Sequence, residues 1–176
     1  MELVRITKDN IDCALSIQQG LFPGESARAN YEDNLDPASG YEYYMIRDGG
    51  TCVGITGIYV CPEDPDSAWL GWFGIIESRR RKGLGTKALR MFEEAAAAGG
   101  KRFARIYTDA ENNDAAIAFY AANGYTREPY MNPGDPACLK YRTLIFSKSL
   151  TPGDFVPWNN RSIHLTEQIA KQEKYA

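Results

Sequence analysis

Apolar positions along the chain change their period several times, and each change marks an element. Glu2 to Ile6 alternates and predicts a strand. Asp9 or Asn10 can cap a following helix that carries Ile11, Ala14, Leu15 and Gln18. The break LFPGES (Leu21 to Ser26) ends that pattern, and a second short helix is expected from Glu25 to about Leu35. After the turn DPASG, Tyr43 to Arg47 and Thr51 to Val60 flank Asp48-Gly49-Gly50, a hairpin signal. CPEDPDS is a further turn. Ala68 to Ile76 is apolar almost throughout, as a central strand buried on both faces should be.

The second half alternates strands and helices. Leu84, Ala88, Met91 or Phe92, and Ala95 recur at helical spacing until Gly99-Gly100 stops them. Phe103 to Thr108 predicts a short strand. Asn113 to Ala122 reads as a helix with Ala116, Ile117 and Tyr120 on one side, closed by Asn123-Gly124. Tyr125 to Glu128 predicts a strand, PYMNPGDPAC a long loop, and Leu139 to Ser147 the last strand. TPGDFVPWNN reads as a linker or arm before a terminal helix from Ser162 to Lys174. Strands first, then strand–helix–strand–helix–strand, predict a mixed α/β fold whose sheet carries helices on both faces. We divide the chain into a domain over residues 1–150 and an extension over 151–176.

Composition narrows the function. The chain has 176 residues, 44% hydrophobic and 24% charged, which suits one soluble domain. A net charge of −3 argues against general nucleic-acid binding, which favours a basic excess. Cys13, Cys52, Cys61 and Cys138 form no CxxC pair, and with His164 as the single histidine no metal-ligand spacing exists. A Ser-His-Asp or Cys-His arrangement would have to rest on that one histidine, in a polar tail. No run is apolar enough for a membrane span, and MELVRITKDN lacks a signal-peptide layout. The expectation is a cytoplasmic protein with reduced thiols, no metal, no membrane and no nucleic-acid partner.

The densest chemistry lies in ESRRRKGLGTKALRMF, Glu77 to Phe92, where four cations and two glycines stand between a buried strand and a helix. A helix N-terminus offers unpaired N–H groups and a positive dipole end, so it attracts phosphate. The cations also suit a plain solvated turn. The Walker A pattern fails, because Gly100-Lys101 is followed by Arg102. Gly83 to Ala88 fits the dinucleotide pattern G-x-G-x-x-A, with Asp109 placed for a ribose, so an oxidoreductase stays open. Four cations before the first glycine and the short remaining chain speak against it.

A third pattern resembles a known family. RRKGLG, Arg80 to Gly85, matches R/Q-x-x-G-x-G/A of the GNAT acyl-CoA N-acyltransferases, and NDAAIAFYAANGY, Asn113 to Tyr125, matches that family's second signature at each defined position. The resemblance covers roughly residues 1–148. It implies a mostly antiparallel, splayed sheet and transfer of an acetyl group from acetyl-CoA to a primary amine by direct attack. It places the coenzyme pyrophosphate on Arg80, Arg81, Lys82, Gly83, Leu84, Gly85 and Thr86, with the backbone doing more than the side chains. Arg79, Arg81 or Lys87 would reach the adenosine phosphate. The pantetheine arm would pair with the strand edge at Phe73, Gly74 and Ile75, whose N–H groups would polarise the thioester, and Asn113 would stand near it. Tyr120 matches the tyrosine that protonates the departing thiolate, while Phe119 and Tyr125 are expected to pack.

Two points stay open. Some members carry a glutamate on the strand before the loop, but no acid lies between Ala68 and Ile76. Glu25, Glu42, Asp109 or a water chain remain for the proton of the amine. The acceptor region holds Phe22, Tyr31, Tyr41, Tyr43, Trp69, Trp72, Phe73 and Tyr130, with Glu25, Glu32, Asp33 and Asp36, a mix that suits a cationic amine. A small amine, an amino acid or antibiotic-like amine, and a peptide or protein amine are all compatible with it. A homodimer is expected by analogy alone, and a catalytically silent acyl-CoA-binding module is the alternative of another class.

Overall fold

A computed structural model describes residues 1–62, 64–111, 113–130, 143–153 and 155–158. Its strands are β1 (Glu2–Arg5), β2 (Tyr41–Asp48), β3 (Thr51–Tyr59), β4 (Ser67–Ile75), β5 (Phe103–Asp109), β6 (Thr126–Pro129) and β7 (Thr143–Ser149). Its helices are α1 (Ile11–Leu21), α2 (Arg28–Asp33), α3 (Leu84–Ala98) and α4 (Asp114–Ala122). The strands form one sheet in the order β1-β2-β3-β4-β5-β7-β6. Only β4 and β5 run parallel among the described pairs; the rest are antiparallel. That arrangement is not the doubly wound parallel sheet that a dinucleotide site needs, so the oxidoreductase reading falls.

Alternation along the strands puts helices on both faces. Tyr43, Met45 and Ile55 point to the face covered by α1 and α2, where they meet Ala14, Leu15 and Tyr31. Ala68, Leu70, Ala104, Ile106 and Phe146 point to the other face, under Leu89 and Phe92 of α3 and Tyr120 of α4. Deletion of one such large side chain costs about 2–5 kcal/mol. Trp69 and Ile145 return to the first face, where Tyr130 and Trp158 cover them.

Several boundaries differ from the sequence expectation. The second helix is shorter, starting at Arg28 rather than Glu25. The Gln18 side chain accepts from Ala27 N–H and donates to Glu25 C=O, and Ser26 Oγ accepts from Arg28 N–H, so side chains hold the preceding residues in a turn. DPASG contains a 3₁₀ turn, with Asp36 accepting from Ala38 N–H. β2 begins two residues earlier than expected, at Tyr41, and β7 runs on to Ser149. The expected start of that last strand at Leu139, most of the PYMNPGDPAC loop, and the expected Ser162–Lys174 helix lie outside the described residues.

The arm after β7 docks on the sheet. Buried Arg105 donates to Ser67 Oγ and Ser147 Oγ on the flanking strands and to Val156 C=O in the arm, with Asp64 3.8 Å away. Trp158 N–H donates to Glu128, and its fully buried ring lies 5.2 Å from Tyr130 and 6.4 Å from Trp69.

Candidate active site

The parallel ladder between β4 and β5 is short. Ser67, Ala68 and Trp69 pair with Phe103, Ala104 and Arg105, and pairing then stops although both strands continue. One cause is a bulge on β4. Register with β3 passes from Ile55↔Gly74 to Gly57↔Gly71, so Trp72 and Phe73 together face Thr56. Trp72 takes the strained φ of +41° there, held by its indole N–H on Asn30 Oδ1 at 2.8 Å and by an edge contact with Phe22. A bulged strand bends and twists, and the edge from Leu70 to Ile75 swings away from β5. The result is a cleft of about 1210 Å³ that passes through the split.

One end of the cleft is the turn into α3. Arg81 and Gly83 both adopt left-handed backbone, with φ of +61° and +74°. Gly83 is the N-cap residue of α3 and supplies no side-chain cap, so the first-turn N–H groups keep no intrahelical partner. Glycine is favoured at 83 for its left-handed torsion; at 85 a Cβ would rest in ordinary van der Waals contact with the Phe119 ring, 3.4 Å away. Arg80, Arg81, Gly83, Gly85 and Thr86 line the cleft, as do Phe73, Gly74, Ile75, Asn113 and Tyr120. Lys82 and Leu84 are not among the lining residues. Lys82 points to solvent, and Leu84 packs in the core on Ile46, Val53 and Ile75.

The cations divide their work. Arg79 pairs with Asp48 at 2.9 Å, and Arg80 Nε donates to Ile75 C=O at 2.8 Å, so these two fasten the turn to the hairpin and to β4. Arg81, Lys82 and Lys87 are exposed. Asn113 donates to Thr108 Oγ1 and bridges the end of β5 to the start of α4.

Tyr120 reaches the cleft from α4, wedged among Phe119, Tyr125 and Phe146 at centroid distances of 5.4–6.1 Å. Burial pushes its phenol up, so it is protonated at neutral pH. Phe119 does more than pack against the core under α3 and α4. It lines the cleft and stacks on Phe73 at 6.0 Å, joining α4 to β4 where the sheet has opened.

A family model of the acetyltransferase (GNAT) family matches residues 9–125, more than half of the chain. The chain belongs to the GNAT acetyltransferases. Acyl transfer is therefore its class of activity. No curated protein sequence matches it. Among solved structures, a Desulfovibrio desulfuricans protein assigned to the GNAT family superposes with a TM-score of 0.72 at 17% identity, over 85% of this chain and 99% of the other. The aminoglycoside 6'-N-acetyltransferase of Enterococcus faecium gives 0.63 at 18% identity, over 88% and 100%. RimL, a ribosomal L7/L12 α-N-protein acetyltransferase solved with coenzyme A, gives 0.65 at 16%, over 84% and 92%. At such identities the likeness is one of fold.

On the other side of this GNAT sheet the cleft is walled by side chains. Phe22, Tyr43 and Trp72 line it there, and Tyr59 and Tyr107 join them, while Phe73 lines it from the α4 side, on Phe119. Tyr31, Tyr41, Trp69 and Tyr130 are not among its lining residues. Trp69, fully buried, stacks on Tyr59 and meets Trp158 edge-on, which takes it out of reach. Of the expected acids, Glu25 and Asp109 line the cleft and Glu32, Asp33 and Asp36 do not. Glu42 faces away, on the Tyr44 hydroxyl and on Arg5. Burial raises Glu25, with a second contribution from the charge of Asp109; burial also raises Asp109. Tyr59 and Tyr107 were legible only as alternating aromatics, since nothing local marks a strand residue as cleft-facing. Among the described residues no helix is long and apolar enough to cross a membrane, and no three His, Cys, Asp or Glu could hold a metal.

Proposed function

We propose that this protein is an acetyl-CoA-dependent N-acetyltransferase that joins both substrates in one complex and transfers the acetyl group directly to a primary amine. One observation carries the reading. A single cleft contains the open amides of the α3 turn, the unpaired edge of β4 and the Tyr120 phenol, in that sequence toward a second wall of aromatics and carboxylates.

The residues present fit coenzyme A. Left-handed Arg81 and Gly83 turn backbone N–H groups toward a pyrophosphate, and the α3 dipole adds to the attraction. Exposed Arg81, Lys82 and Lys87 supply charge for the adenosine phosphate. The edge at Phe73, Gly74 and Ile75 can pair with the amides of an extended pantetheine arm, and Asn113 stands across the split from it.

The chemistry then runs as follows. A neutral amine attacks the thioester carbonyl, and the oxyanion is held by N–H groups of the β4 edge. The C–S bond breaks, and the leaving sulfur takes the proton of Tyr120, which the cleft keeps in its neutral form. The amine proton leaves through cleft water, because β4 carries no acid; Glu25 and Asp109 are the carboxylates that line the route. Thiol and amide are the products, and the proton shed by the amine balances the one that returns to Tyr120 through cleft water. Free Cys13, Cys52 and Cys61 agree with a reducing, cytoplasmic setting.

Calorimetry with acetyl-CoA, CoA and NAD, followed by thiol release on an amine panel, tests this. Acetyl-CoA binding with turnover of at least one amine is expected. No binding of acetyl-CoA or CoA would overturn the reading, and binding without any turnover would turn it into a silent acyl-CoA module.

A further inference from the structure

Glu25 and Asp109 approach the cleft from opposite sides, one from the turn between α1 and α2, the other from the end of β5. They are the only carboxylates lining it among the described residues, and its lining cations, Arg80 and Arg81, lie at the α3 turn. No described salt bridge engages either acid. Burial raises both carboxyls, and at Glu25 the charge of Asp109 adds a smaller push in the same direction, as expected of like charges that share one cavity. A bound cation relieves that repulsion.

Beneath the two acids the wall consists of phenols. Tyr107 lies close enough to Glu25 and Asp109 to feel both charges, and Tyr43 and Tyr59 are its neighbours. Tyr43 crosses to β4, its hydroxyl 2.6 Å from where a Cβ on Gly71 would stand, next to the bulge. Tyr59 is 3% exposed, and its hydroxyl is buried with no hydrogen-bond partner among the described residues. A buried unpaired hydroxyl in a binding cleft is a vacancy for a ligand donor.

We infer that the acceptor is a compact diamine or oligoamine. One amino group stays an ammonium between Glu25 and Asp109, and the other passes Tyr43, Tyr59 and Tyr107 to the split where Tyr120 stands. This rests on the acyl-transfer reading above. The reacting nitrogen has to arrive neutral, so it cannot be the counter-charge that two carboxylates facing one cleft call for. A distal ammonium therefore supplies the lasting counter-charge, and aromatic faces add cation–π attraction along the way. A free carboxylate on the acceptor would be repelled.

Three probes of similar length decide it: 1,4-diaminobutane, butylamine and 4-aminobutyrate. The expected kcat/KM order is diamine over monoamine by roughly tenfold, with the amino acid lowest. E25Q and D109N should each shrink the diamine-to-monoamine ratio at least about threefold, through KM rather than kcat. A merely structural role, or a part in the proton route alone, would lower both amines alike. Tyr59→Phe removes only the unpartnered hydroxyl, so its Tm should not fall while its Kd for the diamine rises. Equal turnover of the three probes, or a ratio unchanged in all three variants, overturns the inference. Calorimetry of each amine in the presence of CoA reads the pocket without turnover. Diamine preference there without thiol release would support this pocket and sink acyl transfer; thiol release without preference would do the reverse.

Discussion

The two faces of the split sheet are built from different materials. On the α3–α4 face, the groups offered to the proposed co-substrate are backbone: left-handed Arg81 and Gly83, an uncapped helix and a bare strand edge. On the α1–α2 face, the groups offered to the proposed acceptor are side chains: Tyr43, Tyr59, Tyr107, Glu25 and Asp109. The first set is nearly contiguous in sequence, while the second is gathered from a turn and three strands. Backbone recognition suits a co-substrate that never changes, since side chains there can vary without loss of the amides. Side-chain recognition suits an acceptor that differs between relatives, as an aminoglycoside differs from a ribosomal protein.

If that contrast holds, substitutions on one face should leave the other's ligand alone. The largest effect is expected where the faces meet. Tyr120→Phe should lower kcat about 10²- to 10⁴-fold, as loss of a general acid does, with acetyl-CoA affinity changed far less; thiol-release kinetics and calorimetry measure both. Next comes Trp158→Ala, which empties the space under Trp69 and Tyr130 and should cost about 3–5 kcal/mol of stability. Thermal melts read that loss. Since Trp69 backs Tyr59, the amine KM should rise while the acetyl-CoA Kd holds.

Smaller again is Gly83→Ala. Nothing crowds a Cβ there, so its cost is the left-handed torsion, about 1–2 kcal/mol, and CoA affinity should fall with the amine KM unmoved. Arg81→Ala should weaken CoA by no more than about tenfold, less at high salt; a salt titration of Kd shows it. The pH profile adds a last check. Burial raises the Tyr120 phenol above its ordinary value near 10, so its acid form is fully present throughout the neutral range. A fall in kcat with an apparent pKa near 8 that vanishes in Tyr120→Phe would refute its assigned protonation state.

How far each face could be read in advance follows the same division. Gly83, Gly85 and the Asn113–Tyr125 run gave the family, because a turn that holds phosphate by its backbone has to be written in consecutive residues. Ala68 to Ile76 announced the central strand but not the bulge at Trp72, since a bulge is a mismatch of register with β3 and appears only once the partner is known. Tyr59 and Tyr107 looked like any alternating strand aromatics, and only the departure of β4 from β5 makes their face a cleft wall. Trp69 went the other way. Its place beside the motif suggested an acceptor contact, yet Trp158, about ninety residues downstream, closes over it. Arg79 and Arg80 gave a similar surprise, as part of the basic run turned out to fasten the loop to Asp48 and Ile75.

The short ladder between β4 and β5 has a thermodynamic consequence. An open strand edge normally invites another chain and is blunted or covered. Here the open edge lines the cleft, so it admits only what fits the slot, and in the proposed reading an extended amide-bearing ligand would serve as the absent strand. The native sheet would then be complete only when loaded. Folding and loading are linked equilibria, and ligand at a hundred times its Kd adds about 2.7 kcal/mol to the folded state. The empty protein should accordingly exchange its amide hydrogens fastest along Leu70–Ile75 and slow there most on loading.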